Sequence, residues 1–184
     1  MTYQEALAFL YSLTDYERVA LNTYSPAALN LDRVRDLLAT LGNPHERFKS
    51  IHIAGTKGKG STSAMLYSCM RQSHQHVGLF TSPHLTTYRE RIQVDGAMIS
   101  REELVALVER LKPAIAAHPG VTTFEATTAL GFLYFAERMV DWAVVEVGLG
   151  GRLDATNVIT PAVSVITSLS YDHMQWLGNT LPEI

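Results

Sequence analysis

Ser50-Ile51-His52-Ile53-Ala54-Gly55-Thr56-Lys57-Gly58-Lys59-Gly60-Ser61 is the stretch that decides the fold. A short, mostly apolar run enters a turn that packs three glycines and two lysines into six residues. From Ser61 to about Arg71 the pattern is helical. Strand, glycine loop and helix in that order make an anion-binding cradle. Successive backbone N–H groups form a nest, and the helix N-terminus beyond adds its dipole. Gly55, Gly58 and Gly60 are expected to take positive φ and to let the backbone approach a ligand without a Cβ in the way. Lys59 is placed to reach the β- and γ-phosphates of a nucleotide. Thr56, Lys57 and Ser61 complete the candidate loop. The strict phosphate-loop pattern is not met, because Gly60 stands between Lys59 and Ser61. The plain alternative is a glycine-rich strand–helix turn with no ligand.

Working outward, Val77–Thr81 reads as the next buried strand and completes a βαβ unit. Two further apolar runs, 142–147 and 162–167, suit strands covered on both faces by helices, as in parallel sheets. Residues 91–96 alternate and then turn, which suits a small edge strand or hairpin. Helices are announced by capping boxes at Thr2–Glu5, Ser100–Glu103 and Thr122–Glu125. Another begins at Asn30, carries Leu31, Val34, Leu38 and Leu41 on one face, and ends at Gly42. The alternation predicts an α/β fold with a mainly parallel sheet flanked by helices, in one domain over 1–184. Ligands in such folds sit beyond the carboxyl ends of the strands.

Three other strand ends carry chemistry. Glu146 interrupts an apolar strand near its end, beside Val147-Gly148-Leu149-Gly150-Gly151. A buried carboxylate needs a cation, and Mg²⁺ shared with nucleotide phosphates meets that need; a structural ion pair is the alternative. Tyr171-Asp172-His173 follows the last apolar run and is expected on the same rim. There His173 is either a ligand or an ordinary hydrogen-bonded surface residue. Thr81-Ser82-Pro83-His84-Leu85 follows the second strand, so Ser82 and His84 could face the site.

Bulk properties exclude other classes. The 184 residues are 47% hydrophobic and 18% charged with a net charge of -3, so no basic field recruits nucleic acid or anionic membrane. No stretch approaches the ~18 apolar residues that span a bilayer, and the N-terminus lacks a signal-peptide pattern. A cytoplasmic protein is the default expectation. The lone cysteine, Cys69, excludes an internal disulfide and a cysteine zinc cluster and is expected to be a buried structural thiol. His74 and His76 have no partners at zinc-site spacing.

Taken together, these segments resemble the folylpolyglutamate synthase/dihydrofolate synthase family of Mur-ligase-type ATP-dependent amide ligases. The resemblance rests on Gly55–Ser61, Thr81–Leu85, Glu146–Asn157 and Asp172–Leu181, four motifs in order over about residues 25–184. Lys59-Gly60-Ser61 is the form this family uses. The resemblance implies a P-loop NTPase-like central domain of the Mur ligase type. It also implies ATP and Mg²⁺ as cofactors, with a folate or dihydropteroate and L-glutamate as substrates. ATP would phosphorylate the substrate carboxylate, and the glutamate amine would attack the resulting acyl phosphate. Lys59 and the loop amides would hold phosphates, with Lys59, Glu146 and His173 the catalytic set. Ser61, Ser82, Glu146 and His173 would serve the metal. Ser82, Pro83, His84, Arg89, Phe124 and Glu125 would lie toward the folate. Other readings are a Mur-type peptidoglycan ligase, a P-loop kinase and a non-catalytic nucleotide-binding remnant.

The resemblance further implies a C-terminal, glutamate-holding domain and a carbamylated lysine shortly after Leu181. No lysine follows Lys112. The chain is therefore expected to be the truncated N-terminal part of such an enzyme, able to bind nucleotide weakly but not to complete ligation alone. Surface meant for the rest of the fold would then be exposed.

Overall fold

A computed structural model describes residues 1–14, 30–73 and 75–184. His74, set aside above as a zinc ligand, lies outside the described residues. The elements run α1 (Tyr3–Ser12), α2 (Leu31–Thr40), β1 (Lys49–Ala54), α3 (Lys59–Arg71), β2 (Val77–Phe80), β3 (Ile92–Val94) and β4 (Ala97–Met98). They continue with α4 (Arg101–Ala117), α5 (Thr123–Glu137), β5 (Trp142–Glu146), β6 (Val163–Ile166) and α6 (Met174–Leu177). The strands form one sheet in the order β4-β3-β2-β5-β1-β6. β2, β5, β1 and β6 are parallel, and β3 and β4 form an antiparallel hairpin on the β2 side. The β1–α3–β2 unit is thus a crossover that leaves room for β5 between its strands.

The helix starts are where their side chains require them. Thr2, Ser100 and Thr122 each make the reciprocal capping box with the Glu three residues on, and Asn30 accepts from the Asp32 N–H. Each cap satisfies N–H groups that the first turn cannot pair internally.

Side-chain parity along the strands then divides the core. Ile51, Ile53, Leu79 and Val144 face α3, packing with Tyr67 and the half-buried Leu66 and Met70. Phe80, Ala143 and Val145 face the other way, into a larger cluster built with α1, α2, α4 and α5. That larger side is aromatic: Phe80, Phe132, Phe135 and Phe48 pack as neighbouring rings.

Two expectations fail here. Cys69 is exposed. It falls on the arc of α3 turned from the sheet, one turn beyond Met65, which is 63% exposed. β6 is not covered on both faces: it is the edge strand, and Val163 and Ile166 are 48% and 66% exposed. Its apolar run is that of a buried strand, but no described element lies beyond it.

Candidate functional site

The carboxyl ends of β1, β5 and β6 open onto one cleft. Gly55, Thr56 and Lys59 form one wall, Gly148, Leu149 and Gly150 a second, and Leu169, Asp172 and His173 a third, with Leu177 and Ile184 closing it.

The glycine loop leaves β1 with Gly55 at φ 134° and Gly58 at φ 85°. Both are conformations that a side chain resists. Gly55 is also crowded, since a Cβ there would lie 2.1 Å from Thr167 Oγ1. Gly60 departs from the expectation. It lies inside the first turn of α3 with no positive φ, and what marks its position is its neighbour. A Cβ at Gly60 would sit 3.4 Å from Glu146 Oε1, an ordinary van der Waals distance, so the helix start lies directly against that carboxylate. The glycine that broke the strict pattern is the contact between the loop helix and the acid.

Glu146 ends β5, and its parity with Val144 turns it toward α3. It is 4% exposed. Oε2 accepts the Ser82 N–H at 3.1 Å, so the segment leaving β2 meets the end of β5 here. Burial pushes its carboxyl above the ordinary value; the Ser82 N–H and the Lys59 charge pull it back only in part. Lys59 Nζ donates to the Gly55 carbonyl at 2.9 Å, folding back over its own loop.

The loop is tied to the β6 end. Thr56 N–H donates to Ser168 O at 2.7 Å. Its hydroxyl donates to Ser170 O at 3.1 Å and accepts from Ser170 N–H at 3.0 Å. Thr167 Oγ1 and Ser168 Oγ both donate to the Lys57 carbonyl. The Thr56 hydroxyl is therefore committed to holding the segment that carries His173 against the phosphate loop. His173 itself caps α6 in a left-handed conformation (φ 49°) and is exposed on the cleft rim. Ser61 sits exposed on the first turn of α3.

The segment after β2 is organised from within. Glu90 accepts N–H groups from Leu85, Thr86 and Thr87, which holds its carboxyl below the ordinary range. His84 Nδ1 accepts from Arg91 Nε at 2.9 Å, Arg89 Nε donates to Ile99 O at 2.6 Å, and Pro83 and Leu85 stand exposed. Phe124 packs on Gly148 of the cleft wall, where a Cβ would lie 2.5 Å from its Cζ. Glu125 is occupied elsewhere. Its carboxylate takes Arg33 Nε and Nη2 at 2.6–3.1 Å and the Thr122 N–H at 2.8 Å.

Sequence reasoning missed one set. His52, Thr156 and Asp154 form a buried chain of hydrogen bonds beneath the Gly148–Gly150 wall. A polar residue in the middle of an apolar strand, at His52, was the available signal.

The Mur ligase middle domain family matches residues 53–181. The chain is 48% identical over 160 residues to a dihydrofolate synthase/folylpolyglutamate synthase of Bacillus subtilis (strain 168), covering 84% of this chain and 37% of that protein. It is 39% identical over 190 residues to the folylpolyglutamate synthase of Lacticaseibacillus casei, covering 100% of this chain and 42% of the relative. A solved structure described as an FPGS-AMPPCP-folate complex superposes with a TM-score of 0.89 at 39% identity, over 100% of this chain and 44% of that one. The chain thus spans less than half the length of these relatives. Among the described residues, no helix is long and apolar enough to cross a membrane.

Proposed function

The chain belongs to the Mur ligase middle domain family, and from that premise we propose that it supplies the nucleotide-binding part of an ADP-forming ligase joining L-glutamate to the carboxylate of a folate or of dihydropteroate. The observation that carries this reading is Glu146: a carboxylate 4% exposed, set against the first turn of the helix that leaves the glycine loop. Such an anion is costly without a cation.

Magnesium fits that need. Among the described residues no three His, Cys, Asp or Glu side chains gather into a closed metal cage. Mg²⁺ takes one or two protein carboxylates and leaves its other positions to phosphates and water. Glu146 would hold it, with Ser82, Ser61 and His173 as further donors. Bound there, the ion would offset repulsion between two anionic substrates.

The protein's own groups do the rest. Lys59 gives up the Gly55 carbonyl and turns to the β/γ-phosphates, while the amides from Gly55 to Ser61 line the same anion. Fixed positive charge is then in place where charge builds on the transferring phosphoryl group. The acceptor carboxylate takes the γ-phosphoryl group and releases ADP. The glutamate amine then displaces phosphate to form the amide. Pro83, His84 and Arg89, on the segment after β2, and Phe124 beside Gly148 border the folate side. Glu125 serves that side by capping the helix that carries Phe124. The relatives are more than twice as long as this chain. Complete ligation is assigned to a protein of their length and nucleotide binding to these residues.

Calorimetry of the 184-residue protein with ADP or AMPPCP tests the reading. One-site binding that needs Mg²⁺ is expected, weakened at least about tenfold by Lys59→Ala, the scale of a hydrogen bond to a charged group. Absent binding at millimolar nucleotide, or wild-type affinity in the variant, refutes it. In a full-length enzyme, ADP release should require both the folate and glutamate.

A further inference from the structure

His52 lies in β1 between Ile51 and Ile53, which face α3, so its ring points to the opposite face of the sheet. It is 8% exposed. Nε2 lies 2.8 Å from Thr156 Oγ1, and the same hydroxyl donates to Asp154 Oδ1 at 2.5 Å. A hydroxyl has one hydrogen. Because Thr156 spends it on Asp154, His52 must donate, and the chain of donors runs His52 to Thr156 to Asp154. Burial pushes His52 down to about 4, so the ring is neutral near pH 7 and donates as the Nε2–H tautomer.

Asp154 is where the chain acts. It is 4% exposed. Oδ1 also accepts the Thr156 N–H at 3.0 Å, and Oδ2 accepts the Leu149 N–H at 2.9 Å. Asp154 N–H in turn donates to the Gly151 carbonyl. The loop from Gly148 to Asp154 has no ladder of its own, and this carboxylate is the hub around which it closes. Phe124 fixes Gly148 from the other side, so the wall of the cleft is held between an aromatic ring and a buried acid.

We propose that His52 is a positioning residue: by donating to Thr156 it holds the Asp154 carboxylate in the orientation that pins the Leu149 amide, and so sets Gly148–Gly150 as the wall facing the glycine loop. A leucine in its place would bury equally well in the strand. The histidine's specific output is the geometry of a loop on the other side of Thr156. The inference deepens the nucleotide reading and rests on it for the identity of the ligand.

The test uses the 184-residue protein with His52→Leu and Thr156→Val, which break the donor chain at different links, and with His52→Gln and Thr156→Ser, which keep a donor at each link. Amide exchange is followed residue by residue without ligand, and MgADP affinity is measured in parallel. Breaking either link should speed exchange at Leu149 about tenfold, the scale of one buried hydrogen bond. Amides in β1 and β5 should stay protected, and MgADP affinity should fall several-fold. The double variant should be no worse than either single, because both cut one chain. His52→Gln and Thr156→Ser should restore both readouts. Unchanged Leu149 exchange in both broken variants overturns the proposal. So does a uniform loss of protection across the sheet, which marks a merely structural role. If wild-type protein binds no ADP, the nucleotide reading falls, and the exchange pattern still decides the positioning claim.

Discussion

Replacing Glu146 by glutamine separates the cost of burying this carboxylate from its use. Glu146 is 4% exposed, and one backbone N–H and a nearby lysine charge compensate its burial incompletely, so its carboxyl stays above the ordinary value near 4.5. For an acid raised in the folded state, the folded protein holds its proton longer than the unfolded chain does. The penalty is absent where both are protonated and is fully felt above the folded value. Glutamine keeps an oxygen for the Ser82 N–H and sheds the charge. Glu146→Gln should therefore be more stable than wild type at pH 8, by on the order of 1 kcal/mol for an imperfectly paired buried group. In a protein of this size that is roughly 2–4 °C in Tm. The advantage should shrink as the pH falls toward 4.5. Saturating MgADP should reverse the order. Ligand at about 100 times Kd stabilises wild type by roughly 2.7 kcal/mol through linkage, whereas the variant has lost the cation's carboxylate and gains far less. Thermal melts at both pH values, with and without MgADP, read all four quantities. A less stable Glu146→Gln at pH 8 without ligand, or equal MgADP shifts in the two proteins, would refute the reasoning.

Other substitutions probe the supports of the site. Arg33→Ala strands Glu125, whose side chain is 8% exposed, and should cost about 3 kcal/mol in urea unfolding. Adding Glu125→Gln should recover part of the loss by removing the unpaired charge, and an additive double variant would contradict the pairing. Gly55→Ala puts a Cβ 2.1 Å from Thr167 Oγ1 at φ 134°, so about 1–3 kcal/mol of stability should go together with nucleotide binding. Gly60→Ala meets Glu146 at 3.4 Å and should weaken Mg²⁺-dependent binding with little change in the melt; the reverse ranking would count against the assigned contacts. His52, lowered from 6.5 to about 4, contributes stability that is full above pH 6.5 and lost as pH falls through about 4. Wild type should thus lose up to about 3 kcal/mol more than His52→Gln on the acid limb. Glu146 and Asp154, both raised by burial, act with the opposite sign and cancel in that comparison.

Much of the architecture was legible in the residues. The three capping boxes and Asn30 mark helix starts that the structure keeps, because caps are satisfied within four residues of chain. Glu146 could be located as a buried acid at a strand end, since an apolar run on either side forces burial. Other features were not legible. Cys69 was misread because helical periodicity does not say which arc a sheet will cover. Glu125 announces a cap, but its pairing with Arg33 spans 92 positions of chain. Nothing local reports such a distance.

The glycine loop shows the division most clearly. Its anion-binding character, the helix that follows it and the parallel sheet it belongs to are written in short-range pattern: glycines where positive φ is needed at 55 and 58, then a helix start, after an apolar strand. That Gly60 stands against Glu146 is decided only in three dimensions. β5 inserts between β1 and β2 and carries Glu146 to within 3.4 Å of where a Cβ at position 60 would stand. Backbone preferences act over a few residues and can be read from the chain. The close approach of a helix to an acid 86 residues away depends on strand order, which packing alone sets.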